Sequence, residues 1–329
     1  MKKSRALSLL LLTAIILTSC SGARQAKLEE ITPFDYALVL HGGAGNMNFE
    51  NLPEDRRILF EQALDSALQI GLKILEQEGS SLDAVEQVLR YMEDNPLFNA
   101  GRGAVFTSEG KNELDASLMC GQDRMAGAVA GVGNVRHPIT AARGVMEQSK
   151  HVLLSGQGAS AFAAQKGLEI VDPSFFHTDS RMKALKRAIE NEKHGTVGCV
   201  ALDKKGNLCA GTSTGGMTNK KYGRIGDSPI IGAGTWADNR TCGVSGTGHG
   251  EYFIRWSVAH DISALMEYQG LDVEAAARRV VEEKLVEAGG SGGVICLDAY
   301  GRPAMITNTS GMFRAYGNSA GTEIVAIFK

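Results

Sequence analysis

Apolar and polar positions along the chain divide it into strand-like runs and helix-like repeats. Residues 36–46, YALVLHGGAGN, form a continuous apolar run that ends in a glycine loop, the pattern of a buried strand leading into a tight or functional turn. Apolar residues then recur at helical spacing over 54–77, and again over 80–94 behind a serine suited to capping. Segment 95–121 mixes loop with short strand, 125–135 predicts a small-residue strand, 138–148 a helix, 151–156 a strand and 159–167 a helix. The charged, helix-prone segment 181–194 reads as a solvated connector.

The second half opens with a hairpin whose register can be set by hand. TVGCVALD and NLCAGTST flank Lys204, Lys205 and Gly206, a three-residue loop with glycine where a left-handed residue is needed. If Asp203 faces Asn207, Thr196 lies across from Thr214 on the same face of the sheet; a slip of one residue would bring Ser213 there instead. Residues 294–312 repeat the L-D-x-x-G loop and predict a second hairpin, with two amphipathic helices, 251–270 and 272–290, before it.

Composition narrows the function. With 43% hydrophobic and 22% charged residues, the 329-residue chain can bury a large core, and a formal charge of -3 leaves no basic footprint for nucleic acid. The partner expected is a small molecule, and the glycine runs HGGAG, STGG, SGTGHG and GGSGG let backbone approach it closely. The start of the chain reads as a targeting segment: MKKSR is positive, ALSLLLLTAIIL is apolar but short of the roughly 20 residues a membrane span needs, and LTSC ends at Cys20. It resembles a bacterial lipobox, which predicts a signal peptide over 1–19, a lipidated Cys20, a tether over 20–33 and an exported, membrane-anchored lipoprotein on the periplasmic or outer face; the alternative is a plain secretory signal cut near Ser19. The other cysteines, at 120, 199, 209, 242 and 296, have neither CxxC nor zinc spacing and read as buried small hydrophobes.

A threonine hydroxyl is a poor nucleophile until a base takes its proton, and a threonine at a chain start carries that base as its own α-amine, whose ordinary pKa is near 8. For Thr196 that amine must be freed by cutting the Gly195–Thr196 bond, and Gly195, lacking Cβ, tolerates the backbone angles such a cut requires. From residues alone, a Gly-Thr junction before a strand does not distinguish a cut site from an ordinary loop-to-strand turn.

The segment HGTVGCVALDKKGNLCAGTSTGGMTNKKYGRIGDSPIIGAG, together with HGGAG, NPLFNAGRGAVFT, ELDASLM, SGTGHGEYFIR and NTSGMFRAYG, closely resembles the plant-type asparaginase and isoaspartyl peptidase family of N-terminal nucleophile hydrolases. The resemblance runs from about residue 35 to 328. It implies an α/β fold, a four-layer αββα sandwich, cut into an α chain over 34–195 and a β chain over 196–329 and assembled as an (αβ)₂ dimer. It implies cleavage of β-aspartyl dipeptides and of the side-chain amide of L-asparagine, without a catalytic cofactor. Thr196 matches the nucleophile and Thr214 the threonine that contacts it. Arg224 matches the group gripping the substrate α-carboxylate, a task suited to a guanidinium fork, and Asp227 the carboxylate for the α-amine. Thr247 and Gly248 match the oxyanion donors, aided by the dipole of a helix starting near Glu251, and the Gly250 carbonyl lines the amine pocket. MEDNPLFNAGR matches a loop that holds sodium through main-chain carbonyls, here of Met92, Glu93, Asn95, Phe98, Ala100 and Arg102, and Asn99 in it matches an asparagine near the nucleophile. His194 and His249 receive no catalytic role.

Three other readings stay open on the sequence. The glycosylasparaginase branch commonly shows Asp-Thr at the cut and asparagine after T-S-T, where this chain has Gly195 and Gly215. A serine esterase could be built on Ser213 in GTSTG with HGGAG as oxyanion motif, but residues 215–229 cannot form the helix that must follow such a serine. A lipoprotein that captures an amino acid through Arg224 and Asp227 would remain uncut.

Overall fold

A computed structural model describes residues 32–48, 50, 52–187 and 195–329. It contains strand β1 (Ala37–Gly45), helices α1 (Glu54–Glu76) and α2 (Ser81–Asp94), strands β2 (Leu114–Cys120) and β3 (Ala126–Val132), helix α3 (Pro138–Gln148), strand β4 (Leu153–Ser155), helix α4 (Gly156–Gln165) and helix α5 (Asp179–Arg187). After the segment 188–194, which lies outside the described residues together with His194, come β5 (Val197–Leu202), β6 (Leu208–Thr214), β7 (Thr235–Ala237), β8 (Cys242–Gly248), α6 (Gly250–Trp256), α7 (Val258–Gln269) and α8 (Val273–Arg278). Helix α8 continues through a π turn, Arg279–Lys284, into Leu285–Glu287, and β9 (Gly292–Asp298), β10 (Pro303–Thr307), β11 (Gly311–Asn318) and β12 (Glu323–Phe328) close the chain.

The strands form two sheets. One has eight strands in the order β12-β11-β1-β5-β6-β2-β3-β4, the other four in the order β10-β9-β8-β7. Strand parity builds the layers. On β1, Leu38 and Leu40 pack with α1 and α2, while Ala37 and Val39 face the second sheet; on β5, Val197, Cys199 and Ala201 face the helices, and Val200 and Leu202 face inward. A third apolar cluster covers the outer face of the small sheet with α7 and α8. Three apolar interfaces thus separate four layers, helix, sheet, sheet and helix, as the resemblance implied.

Both hairpins obey the same turn chemistry. The Asp203 carboxylate accepts the Lys205 and Asn207 amides at 3.0 Å, and the Asp298 carboxylate accepts those of Tyr300 and Arg302 at 2.9 Å. Gly206 and Gly301 take φ of 78° and 80°, so the shared L-D-x-x-G loop reflects one local solution. The register is the one expected: Val197 pairs with Ser213 and Leu202 with Leu208, which leaves Thr196 opposite Thr214.

One helix differs from expectation. Segment 251–270 is broken at Ser257, which is left-handed at φ 48° and ψ 46°. The break lets the first-turn amides of α7 leave the preceding helix: Ala259 and His260 donate to the carbonyls of Ala233 and Gly232 at 3.0 and 2.9 Å. Docking on that loop outweighs helical continuity. Helix α6 is therefore only 7 residues long, and the long helix dipole expected behind Gly248 is reduced to a short turn. Among the described residues all five cysteines are free; four are buried, with thiols pushed up by burial, and Cys120 is partly exposed.

Candidate active site

One end of the sandwich gathers the end of β1, the start of β5 and the ends of β6 and β8. Because even-numbered residues of β6 face the gap between the sheets, Thr212 and Thr214 point inward while Ser213 points to the helices. Thr196 and Thr214 are both buried, and the Thr196 hydroxyl donates to Thr214 Oγ1 at 3.2 Å. The carbonyl before the nucleophile candidate is held from two sides. Gly195 O accepts from Asn99 Nδ2 at 2.6 Å and from Thr214 Oγ1 at 3.0 Å. Asn99 is itself fixed, its Nδ2 also reaching Gly216 O at 2.7 Å and its Oδ1 accepting the Val105 amide at 2.9 Å.

The two charged residues expected to bind substrate lie side by side, with a third that residue reasoning missed. Arg224 donates to Glu251 through Nε and Nη2, each at 2.9 Å, a side-on pair that leaves the Nη1 edge of the guanidinium unspent. That hydrogen bond pulls the Glu251 carboxyl down to about 2. Asp227 is buried, and its Oδ2 has no hydrogen-bond partner among the described residues; burial pushes its carboxyl up to about 7. Gly250 explains the empty space between them: a Cβ there would lie 2.7 Å from Asp227 Oδ1 and 2.8 Å from Arg224 Nη2. A point within hydrogen-bond reach of both a carboxylate and a guanidinium suits the zwitterionic head of an amino acid. His249 packs its ring on Tyr252 at 5.0 Å and sets Nε2 3.9 Å from Glu251 Oε2, on the edge of this charged group.

Thr247 is buried, and its Oγ1 accepts the Ala44 amide at 3.3 Å; the same HGGAG turn approaches Thr196, whose N would lie 3.5 Å from a Cβ on Gly43. Gly248 has φ 150°, and a Cβ on it would meet Ser291 O at 2.4 Å; only glycine fits. In and just after segment 92–102, glycine also admits backbone oxygens: Cβ atoms on Gly101 and Gly103 would fall 2.3 Å from Glu93 O and 2.0 Å from Phe98 O. Met92 O, Asn95 O and Ala100 O accept amides of Asn95, Phe98 and Gly103 at 3.3, 3.2 and 3.0 Å, using one lone pair each. Arg102 sets its guanidinium over Phe175 at 5.8 Å.

Ser213 is fully buried and donates to Glu93 Oε1 at 2.6 Å, and Glu93 Oε2 lies 3.4 Å from His137 Nδ1. The carboxylate stands between serine and histidine, the wrong order for a charge-oriented histidine base, and no helix follows Ser213. The esterase arrangement is absent from the described residues. His41, also missed, lies fully buried beside Thr196; the apolar run preceding it was the signal that it sits inside the core.

A family profile described as asparaginase matches residues 34–327. The isoaspartyl peptidase of Salmonella typhimurium is 48% identical over 307 residues, covering 89% of this chain and 98% of its own. That of Escherichia coli is 47% identical, with 89% and 96% covered, and a plant-type L-asparaginase of Pyrococcus horikoshii is 39% identical, with 85% and 95% covered. The signal-peptide and lipoprotein expectation is corrected by these matches. The family match begins at residue 34, downstream of Cys20, and the two bacterial relatives are covered almost end to end, so likeness to them supports neither a leader nor a lipidated cysteine. Residues 1–31, Cys20 included, lie outside the described residues, and no described helix is long and apolar enough to cross a membrane.

Proposed function

The chain belongs to the asparaginase family of hydrolases, and we propose from that premise that it cuts itself before Thr196 and then hydrolyses β-aspartyl dipeptides and L-asparagine to L-aspartate. The observation that carries the proposal is the double clamp on Gly195 O, by Asn99 Nδ2 and Thr214 Oγ1, with the Thr196 hydroxyl beside it. Two donors aimed at a main-chain carbonyl are what a tetrahedral oxyanion at Gly195 needs. Thr196 Oγ adds to the Gly195 carbonyl carbon, the C–N bond breaks, and the proton from Oγ ends on the departing Thr196 nitrogen. Water then hydrolyses the resulting ester, leaving a Gly195 carboxylate and a free Thr196 amine.

In the second stage that amine takes the Oγ proton as Thr196 attacks the substrate's side-chain carbonyl. Arg224 takes the α-carboxylate on its unspent edge, and Asp227 takes the α-ammonium in the space left by Gly250. Thr247 and Gly248 stabilise the oxyanion, ammonia or an amino acid leaves, and water releases aspartate. The carbonyl-lined turn around Gly101 and Gly103 fits a sodium ion held by segment 92–102, which would brace the loop that carries Asn99. Amino-terminal sequencing of the purified protein, with ammonia and dipeptide assays, tests the reading. A second chain beginning Thr196-Val197-Gly198 and turnover of at least one substrate class are expected; an active protein that remains one chain refutes the cut, and failure on both substrate classes refutes the activity.

A further inference from the structure

Strand β1 pairs with β5 from Ala37 opposite Leu202 to His41 opposite Gly198, and there the ladder stops. A register shift between His41 and Gly43, in the pairing of β1 with β11, makes β1 irregular here, and although Gly43 stays close to Thr196, where a Cβ on it would lie 3.5 Å from Thr196 N, the ladder with β5 does not continue to that residue. The Thr196 carbonyl is met instead by a side chain, His41 Nδ1, at 3.1 Å. We propose that His41 is a positioning residue that replaces the missing ladder bond, holding the Thr196 carbonyl with an Nδ1–H, and that Ser245 fixes this tautomer from the opposite sheet. The proposal rests on the reading of Thr196 as nucleophile.

The proton directions follow from the partners. A carbonyl only accepts, so Nδ1 must carry hydrogen. In a neutral ring Nε2 then accepts, and its partner is Ser245 Oγ at 3.0 Å. Neutrality is supported by complete burial, which pushes His41 down to about 3. Ser245 Oγ, having turned its proton to the ring, accepts from Thr212 Oγ1 at 2.7 Å, and Thr212 accepts from Thr235 Oγ1 at 2.6 Å. Thr212 has a second acceptor in Gly234 O at 3.1 Å, which has a lone pair to spare beside the Gly246 amide at 2.8 Å; whether Thr212 donates there or to Ser245 at the shorter 2.7 Å, the Ser245 proton is left for the ring. With the shorter bond made, the hydroxyls run one way, from β7 through β6 and β8 to His41 on β1 and on to Thr196. Reversing the ring would set a bare Nδ1 against a carbonyl oxygen. Gly198 is shaped to this contact: a Cβ there would lie 2.0 Å from Ser245 Oγ and 2.3 Å from His41 Nε2.

Nitrogen NMR of the wild-type ring, assigned against His41→Asn, reads the tautomer without reference to turnover. A neutral Nδ1–H ring unchanged from pH 5 to 8 is expected, and an Nε2–H ring or an imidazolium overturns the proposal even if the enzyme is active. In Ser245→Ala, which removes the donor to Nε2, an Nε2 resonance shifted toward that of an unbonded imine nitrogen is expected; an unchanged Nε2 shift removes Ser245 from the device. Asparagine places its amide nitrogen near the position of Nδ1, glutamine near that of Nε2. His41→Asn should keep kcat within about tenfold of wild type, whereas His41→Gln should lose about 100-fold in kcat with KM little changed, as expected for a misplaced nucleophile. Equal losses in the two variants, tracking their loss in Tm, would make His41 a mere core residue. Absence of activity in wild type with the expected tautomer present would refute the proposed function and leave this ring geometry standing.

Discussion

Asp227→Asn, made in an uncut Thr196→Ala chain so that one polypeptide unfolds, should stabilise the fold in a pH-dependent way. Asp227 is buried with Oδ2 unpartnered, and burial lifts its carboxyl from 3.8 to about 7. Below about pH 4 both folded and unfolded chains hold the proton, and the carboxyl costs nothing. Between about pH 4 and 7 the folded state keeps a proton that the unfolded state has lost, so stability falls as pH rises, by up to about 1.4 kcal/mol per unit. Above about 7 both are ionised and the loss levels off, at an order of magnitude of 4 kcal/mol for a shift of about three units. Asparagine keeps the shape and never ionises, so its advantage over aspartate should be small at pH 4.5, grow to neutrality and then stay flat. Urea unfolding of the two chains from pH 4.5 to 8.5 measures it. A difference that does not change with pH would show that the Asp227 carboxyl is not held neutral by burial. In the matured enzyme the same ionisation should make kcat/KM for asparagine fall below about pH 7, since a protonated Asp227 offers no charge to the α-ammonium.

Asn99→Ala removes the shorter of the two donors on Gly195 O and should slow self-cleavage by a factor of about 10² to 10³, followed as band conversion on denaturing gels; a slowing below threefold would discount the clamp. Gly250→Ala pushes a methyl within 2.7 Å of Asp227 Oδ1 and should raise KM at least tenfold for asparagine while the cut proceeds, and an unchanged KM would move the amino-acid site elsewhere. Ser213→Ala should leave cutting and turnover within a few-fold but cost about 1.5–3 kcal/mol in unfolding experiments, because a buried Glu93 loses a donor. Exchange of sodium for a bulky organic cation should lower Tm if segment 92–102 holds the ion; equal Tm values count against it.

What local patterns could carry was legible in the chain. Helical spacing located α1 to α4, and the L-D-x-x-G turn, with its aspartate and left-handed glycine, set the β5–β6 register that brings Thr196 against Thr214. These are short-range effects, settled by a few neighbouring residues. The resemblance named Arg224 and Asp227 but not their neighbour Glu251, since a pairing across 27 positions leaves no spacing signal. Continuity of the helix at 251–270 was misjudged for the same reason: the carbonyls of Gly232 and Ala233 that capture α7 lie outside any helical window. Which way Ser213 faces, and that His41 meets Ser245 across 204 residues, depend on the stacking of two sheets. Sheet stacking is a property of the packed layers, where strand parity decides which side chains share the buried gap, and it exists only once the whole chain is folded.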